Sequence, residues 1–117
     1  MKIAVIGSRT LSIDNLEDYI PQDCTEIVSG GARGVDSSAA QFAKAHNIKL
    51  TEFLPQYSAY GKASPIVRNK QIVDYADCVL AFWDGVSKGT HSVIRYCEKA
   101  GKPCRIISAT QNLTIKT

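Results

Sequence analysis

Glu26-Ile27-Val28-Ser29-Gly30-Gly31-Ala32-Arg33-Gly34-Val35-Asp36 is the stretch that decides the fold of this chain. A β-rich apolar run leads into a glycine turn, which opens a helix-like segment reaching His46. A strand, a glycine turn and a helix N-terminus gather several backbone N–H groups around one small volume. The helix dipole adds partial positive charge there, so the guest that suits such a corner is a phosphate or another anion. Arg33 adds a forked cation to the turn. The same glycines can also serve only as a tight strand-to-helix turn, because a glycine fingerprint taken singly is weak.

Working outward, the pattern repeats. Lys2 to Ile6 reads as a buried first strand closed by Gly7, and Asp14 to Ile20 as a short helix capped by Ser12 or Asp14 and ended by Pro21. Thr25 to Ser29 is the second strand. Val35, Ala39, Phe42, Ala43 and His46 then recur with a helical period, and Ile48 to Leu54 forms a third strand stopped by Pro55. Pro55 to Ser64 reads as a long irregular segment. Ser64 caps a helix that Pro65 opens and Ile66, Asn69, Ile72, Val73 and Ala76 continue. Asp77 to Trp83 is the fourth strand, Asp84 to Lys88 a polar loop, and Gly89-Thr90 the start of a helix that Gly101 and Pro103 end. Cys104 to Ser108 is the fifth strand; the tail to Thr117 is left unassigned. Strands alternating with helices imply βαβ units. The expected fold is therefore α/β: one domain, residues 1–117, built as a Rossmann-like doubly wound parallel sheet of about five strands with helices on both faces.

Composition agrees with a single globular domain. The chain has 117 residues, 44% of them apolar and 21% charged, with 14 basic against 11 acidic side chains and a net charge of +3. That balance is too mild for a nucleic-acid footprint. Cys24, Cys78, Cys97 and Cys104 form no Cys-x-x-Cys pair. Cys78 and Cys97 read as buried thiols of a reducing compartment. No run approaches the ~20 apolar residues of a membrane span, and the N-terminus is too short in apolar residues for a signal peptide, so a cytoplasmic protein is expected.

In such sheets ligands sit outside the carboxyl ends of the strands. Three loops follow strands and should converge there. Gly7, Ser8 and Arg9 end the first, with Arg9 able to grip a phosphate bidentately or to stand as a solvated arginine. Gly30, Gly31, Ala32, Arg33, Gly34 and Asp36 form the second, in which Asp36 is either a ligand contact or a helix-dipole partner. Trp83, Asp84, Lys88, Gly89 and Thr90 form the third, with Thr90 as cap, phosphate ligand or both, and Trp83 stacking on a base or packing on the sheet. Arg68 and Asn69, early in the Pro65 helix, reach the same edge if that helix starts there. Read as G-x-G-x-x-G ending at Gly34, the second loop has Ser29 in its first position, which argues against NAD in its usual pose although Glu52 falls near the ribose-binding acid. Gly-Lys-Thr is absent, so the third loop is not a P-loop. No metal ligand set, cofactor or nucleophile-and-base constellation is assigned.

Taken in order, Gly7-Ser8-Arg9, Ser29 to Asp36, Tyr60-Gly61-Lys62, Pro65-Ile66-Val67-Arg68-Asn69 and Phe82-Trp83-Asp84-Gly85 with Ser87-Lys88-Gly89-Thr90 resemble the SLOG superfamily, in particular its small stand-alone YspA-like members. The resemblance runs from about residue 3 to residue 108. It implies a Rossmann-like domain, often a homo-oligomer, that binds nucleotides or nucleotide-derived, phosphate-containing small molecules. Two related families supply alternatives. The DNA-processing protein A family is similar at Ser29, Gly30, Ala32, Gly34, Asp36, Pro65, Arg68 and Asn69, and implies single-stranded DNA binding. The Lonely Guy phosphoribohydrolases are similar at Gly89-Thr90 and imply cleavage of the N-glycosidic bond of a nucleoside monophosphate. His91, Ser92 and Val93 stand where their glutamate is needed, which turns the expectation from catalysis towards binding.

Overall fold

A computed structural model describes residues 1–108. The strands β1 (Lys2–Gly7), β2 (Glu26–Ser29), β3 (Lys49–Glu52), β4 (Cys78–Trp83) and β5 (Cys104–Ser108) form one five-stranded sheet in the order β3-β2-β1-β4-β5. Every pairing is parallel, so the doubly wound α/β sheet expected from sequence is the fold. The two central strands read as unbroken apolar runs because both of their faces are covered. Ile3, Val5, Leu80 and Phe82 point to one layer; Ala4, Ile6, Val79 and Ala81 point to the other.

The chain moves one way across the sheet from β1 to β3 and the other way from β4 to β5. Crossovers of constant hand then place the connections on opposite faces. Helix α1 (Val35–Ala45) packs Val35, Ala39 and Ala43 into the first layer. Helices α3 (Ser64–Tyr75) and α4 (Lys88–Ala100) bury Ile72, Val73, Val93, Ile94 and Cys97 in the second. Ala4 and Ala81 are the small residues beneath them, which lets the helices sit close to the sheet. The left-handed Gly101 ends α4, and Lys102 N–H closes back on the Cys97 carbonyl at 2.9 Å.

Four local expectations are corrected. The segment Asp14 to Ile20 holds one 3-10 turn, Leu16–Asp18, instead of a helix. The Asn15 amide donates to Asp18 at 2.9 Å, while Leu11, Ile13, Leu16 and Ile20 are drawn into the first core layer. The stretch expected to be irregular after Pro55 contains a single helical turn, α2 (Tyr57–Tyr60), and a 3-10 turn, Gly61–Ala63, leading straight into α3. Ser64 is accordingly not a cap; its fully buried hydroxyl donates back to the Gly61 carbonyl. Cys97 is buried as expected, but Cys78 is only half-buried. The tail, 109–117, lies outside the described residues. No helix among the described residues is long and apolar enough to cross a membrane.

The amino edge of the sheet is tied by polar contacts. The Glu26 carboxylate accepts from the Thr51 and Tyr75 hydroxyls, each at 2.6 Å, and the Lys2 ammonium lies 4.1 Å from the Tyr75 ring centre. The two hydroxyls hold the Glu26 carboxyl below its usual range. The carboxyl edge, by contrast, is open.

Candidate functional site

Strand order reverses between β1 and β4, and a cavity of about 360 Å³ lies outside their carboxyl ends. This is the crevice where doubly wound sheets take their ligands. The cavity joins the three strand-end loops to the start of α3. From the first loop come Gly7, Ser8 and Arg9; from the second, Gly30, Ala32 and Asp36. Asp84, Gly89 and Thr90 line it from the third, and Arg68 and Asn69 from α3.

In the Gly30-to-Asp36 loop, where an anion is expected to sit on the start of α1, part of the backbone is held by the protein's own contacts. Gly34 caps α1 at φ +76°, and a Cβ there would run into the Arg9 backbone. The Val35 N–H points at the Ser8 carbonyl, 3.4 Å away, and Val35 itself is fully buried. The first N–H of α1 is therefore turned towards the β1 loop, while Gly30, Ala32 and Asp36 of the same run line the cavity. Gly34 does not line the cavity, and Gly31 and exposed Arg33 line a neighbouring groove with Leu54 and Pro55.

Arg68 organises the loop from across the cavity. Its buried guanidinium donates through Nη1 to the Gly30 carbonyl at 2.7 Å and to the Phe53 carbonyl at 3.4 Å, and through Nε to Asn69 Oδ1 at 2.8 Å. Gly30 leaves room for this contact, since a Cβ would lie 2.5 Å from Arg68 Nη1 and 3.1 Å from Asp36 Oδ2, and the guanidinium would have to shift to admit it. Asp36 Oδ2 accepts the Ala32 N–H at 3.1 Å. Burial raises the Asp36 carboxyl above its usual range, opposed by the Ala32 hydrogen bond and by the positive charge of Arg68. Burial likewise lowers Arg68, and Asp36 opposes that shift.

The open helix end is that of α4. Ser87, half-buried, is its N-cap: Ser87 Oγ accepts the Thr90 N–H at 3.5 Å and donates to Thr90 Oγ1 at 3.3 Å. The cap expected at Thr90 thus lies three residues earlier, and Thr90 is a buried residue of the cavity wall. Asp84 Oδ1 accepts the Val86 and Ser87 N–H groups at 2.9 and 2.8 Å, which holds its carboxyl below the usual range. Trp83 is a packing residue and not part of the wall. Its Nε1–H donates to the Ser87 carbonyl at 3.0 Å, and its ring stacks on His91 with centres 5.3 Å apart. Lys88 is exposed and also lies off the wall.

One atom is unlike the rest. Ser8 is 2% exposed, and its Oγ makes no hydrogen bond of ordinary geometry among the described residues, although a weaker side-chain interaction with Asp84 helps to lower that carboxyl. Sequence reasoning missed Ser87 as a wall residue, along with Ile6, Thr10, Pro65, Ile72 and Val93. A serine just ahead of a helix is a capping signal that would have found Ser87. The apolar ones belong to the ordinary core periodicity, and nothing local distinguishes a core position from a cavity floor.

No family model matches this sequence, and no solved structure does. The chain is 30% identical to a pyruvate kinase of Bacillus licheniformis over 118 aligned positions, covering 85% of this chain and 20% of that enzyme. It is 35% identical to the Gene 61 protein of Mycobacterium phage D29 over 83 positions, covering 66% of each. The chain thus spans a fifth of the first relative's length and 66% of the second's.

Proposed function

We propose that this protein binds a nucleotide or a nucleotide-derived, phosphate-containing small molecule in the crevice between β1 and β4, as a sensor or ligand-binding module of the SLOG type. The observation that carries this reading is the Ser8 hydroxyl, buried with no hydrogen bond of ordinary geometry among the described residues, in a cavity wall that also includes the start of a 13-residue helix. Leaving a buried hydroxyl unpaired costs about 1–3 kcal/mol, which a ligand oxygen would recover. The α4 N-terminus supplies unsatisfied N–H groups and positive potential beside it. Arg9, exposed on the same wall, supplies a mobile cation. On the same reading the protein acts in the cytoplasm as a homo-oligomer.

Calorimetry against a panel of nucleoside monophosphates tests the proposal. Binding should be lost by about 1.5–3 kcal/mol in Ser8→Ala, the range for a hydrogen bond to a charged group. Equal affinity of wild type and Ser8→Ala, or no binding of any phosphate-bearing compound, would refute it.

A further inference from the structure

Four free thiols are spread over the two core layers, and two of them meet. Cys97 lies in the last turn of α4 and Cys104 opens β5, and both pack into the second layer. The chain between them doubles back. Gly101 is left-handed, the Lys102 N–H closes on the Cys97 carbonyl at 2.9 Å, and the Pro103 carbonyl accepts the Val79 N–H at 2.9 Å. Register with β4 then seats Cys104 beside Val79. Each thiol is thus held by its own backbone, and the two interact side chain to side chain.

The two differ in access and in proton affinity. Cys97 is fully buried and Cys104 is half-buried. Their contact favours the proton on Cys97, which stands above the usual thiol range. The same contact draws Cys104 below that range, although burial and the Glu98 carboxylate oppose the shift. The reachable sulfur is therefore the one that ionises more readily, and the thiolate is the form that attacks an oxidant. Its buried neighbour is placed to attack next. An accessible, readily ionised thiol beside a resolving thiol is the arrangement of an oxidisable pair.

Cys24 and Cys78, in the first layer, lack that asymmetry. Burial raises both, and Cys24 Sγ donates to the Glu26 carbonyl at 3.5 Å. Hydrogen peroxide, the smallest hydroperoxide, suits a sulfur with as narrow an approach as Cys104. A bond between Cys97 and Cys104 closes the loop between them and ties α4 to β5, an edge strand with β4 as its one neighbour in the sheet.

We propose that Cys97 and Cys104 are a peroxide-oxidised pair whose disulfide clamps α4 to β5. The Cys104 thiolate attacks one peroxide oxygen, the O–O bond breaks, and the departing hydroxide takes up a proton to become water. Cys104 is then a sulfenic acid. The Cys97 sulfur gives up its proton and attacks the Cys104 sulfur; the S–O bond breaks and the second oxygen leaves as water. Two thiols lose two electrons and one peroxide gains them. Where thiols are kept reduced, the dithiol is the resting form, and a thiol reductant restores it.

The test treats the full chain with hydrogen peroxide, alkylates the remaining thiols and maps tryptic peptides by mass spectrometry. Cleavage after Lys99 puts the two cysteines on separate peptides. Wild type should yield one linked pair, Cys97 with Cys104, while Cys24 and Cys78 are alkylated, and dithiothreitol should return all four thiols. Oxidation should raise the urea midpoint by about 1 M, as closure of a short loop dictates. Cys97→Ser should form no link and accumulate a Cys104 sulfenic acid that dimedone traps. Cys104→Ser should slow peroxide consumption at least about tenfold. A link between Cys24 and Cys78, links between chains, or four intact thiols after excess peroxide overturns the pair. A linked pair with an unchanged or lowered midpoint overturns the clamp. The wild-type map needs no variant, so a fold lost in either serine variant leaves the inference exposed to refutation.

Discussion

Arg68→Met removes the buried guanidinium while keeping much of the side-chain volume. Three acceptors lose their donor: the Gly30 carbonyl at 2.7 Å, Asn69 Oδ1 at 2.8 Å and the Phe53 carbonyl at 3.4 Å. Hydrogen bonds from a charged donor contribute about 1.5–3 kcal/mol each, and only the first two have full-strength geometry. Asp36, 8% exposed, also loses its counter-charge. The sum is a destabilisation of about 3–5 kcal/mol, the usual cost of breaking a buried pair from one side. In urea unfolding with a slope of about 2 kcal/mol/M, the midpoint should fall by roughly 2 M. Asp36→Asn in the same background removes the stranded charge, so the double variant should be about 1–2 kcal/mol more stable than additivity requires. The sign with pH follows from the raised Asp36 carboxyl, whose unfolded value is near 3.8. Its protonated form is compatible with burial, so its contribution is fully present below 3.8 and is lost as pH rises through the folded value. The Arg68→Met defect should therefore shrink in acid. A midpoint shift under about 0.3 M, or strict additivity with Asp36→Asn, would show that Arg68 is a surface arginine in energetic terms and refute the reasoning.

Gly34→Ala should cost at least about 2 kcal/mol by thermal or urea unfolding, because a left-handed backbone and the Arg9 backbone both oppose a Cβ there. Glu26 titrates in the opposite sense to Asp36. Its lowered carboxyl contributes stability above the unfolded value of 4.5 and loses it as pH falls through the folded one, so Tyr75→Phe should reduce the acid sensitivity of the urea midpoint. Ser87→Ala should destabilise by about 0.5–1 kcal/mol, the low end for an N-cap, since its bond to the Thr90 N–H is long at 3.5 Å. Arg9→Ala should weaken nucleotide binding more than Arg33→Ala in parallel titrations, because Arg9 lies on the main cavity wall and Arg33 on the adjoining groove.

The sheet was legible because its evidence is periodic. Apolar runs such as Val79-Leu80-Ala81-Phe82, set between Asp77 and Asp84, leave few topologies once crossovers share one hand. Convergence of the strand-end loops followed from the same rule, which is why Ser8, Asp36 and Thr90 could be assigned to one edge and lie on one wall. Local capping chemistry was harder to read. Gly89-Thr90 looked like the start of α4, but the serine two residues before the glycine claims the cap. The glycine run itself is legible only in part. Its turn to α1 has the composition of an anion cradle; Gly30, Ala32 and Asp36 line the cavity, whereas Gly34 packs on the Arg9 backbone and the Val35 N–H faces Ser8, and no property of those residues in isolation announces that division. Arg68 was singled out as a ligand contact; only the folded geometry shows that its Nη1 is shared between two of the protein's own carbonyls while the residue still lines the cavity.

The turn of α1 towards the β1 loop has a consequence for Ser8. Its N–H donates to the Phe82 carbonyl at 3.2 Å, and its own carbonyl faces the N–H groups of Leu11 and Val35 at 3.3 and 3.4 Å. Backbone motion at this residue is thus restrained from β4, the β1 loop and α1 together, which leaves one side-chain torsion and the spin of the hydroxyl hydrogen. On the proposed function, a ligand arriving at the cavity meets a donor whose ordering was completed during folding, so association at this corner would lose little conformational entropy. Binding there should leave the backbone of residues 7–11 where it stands.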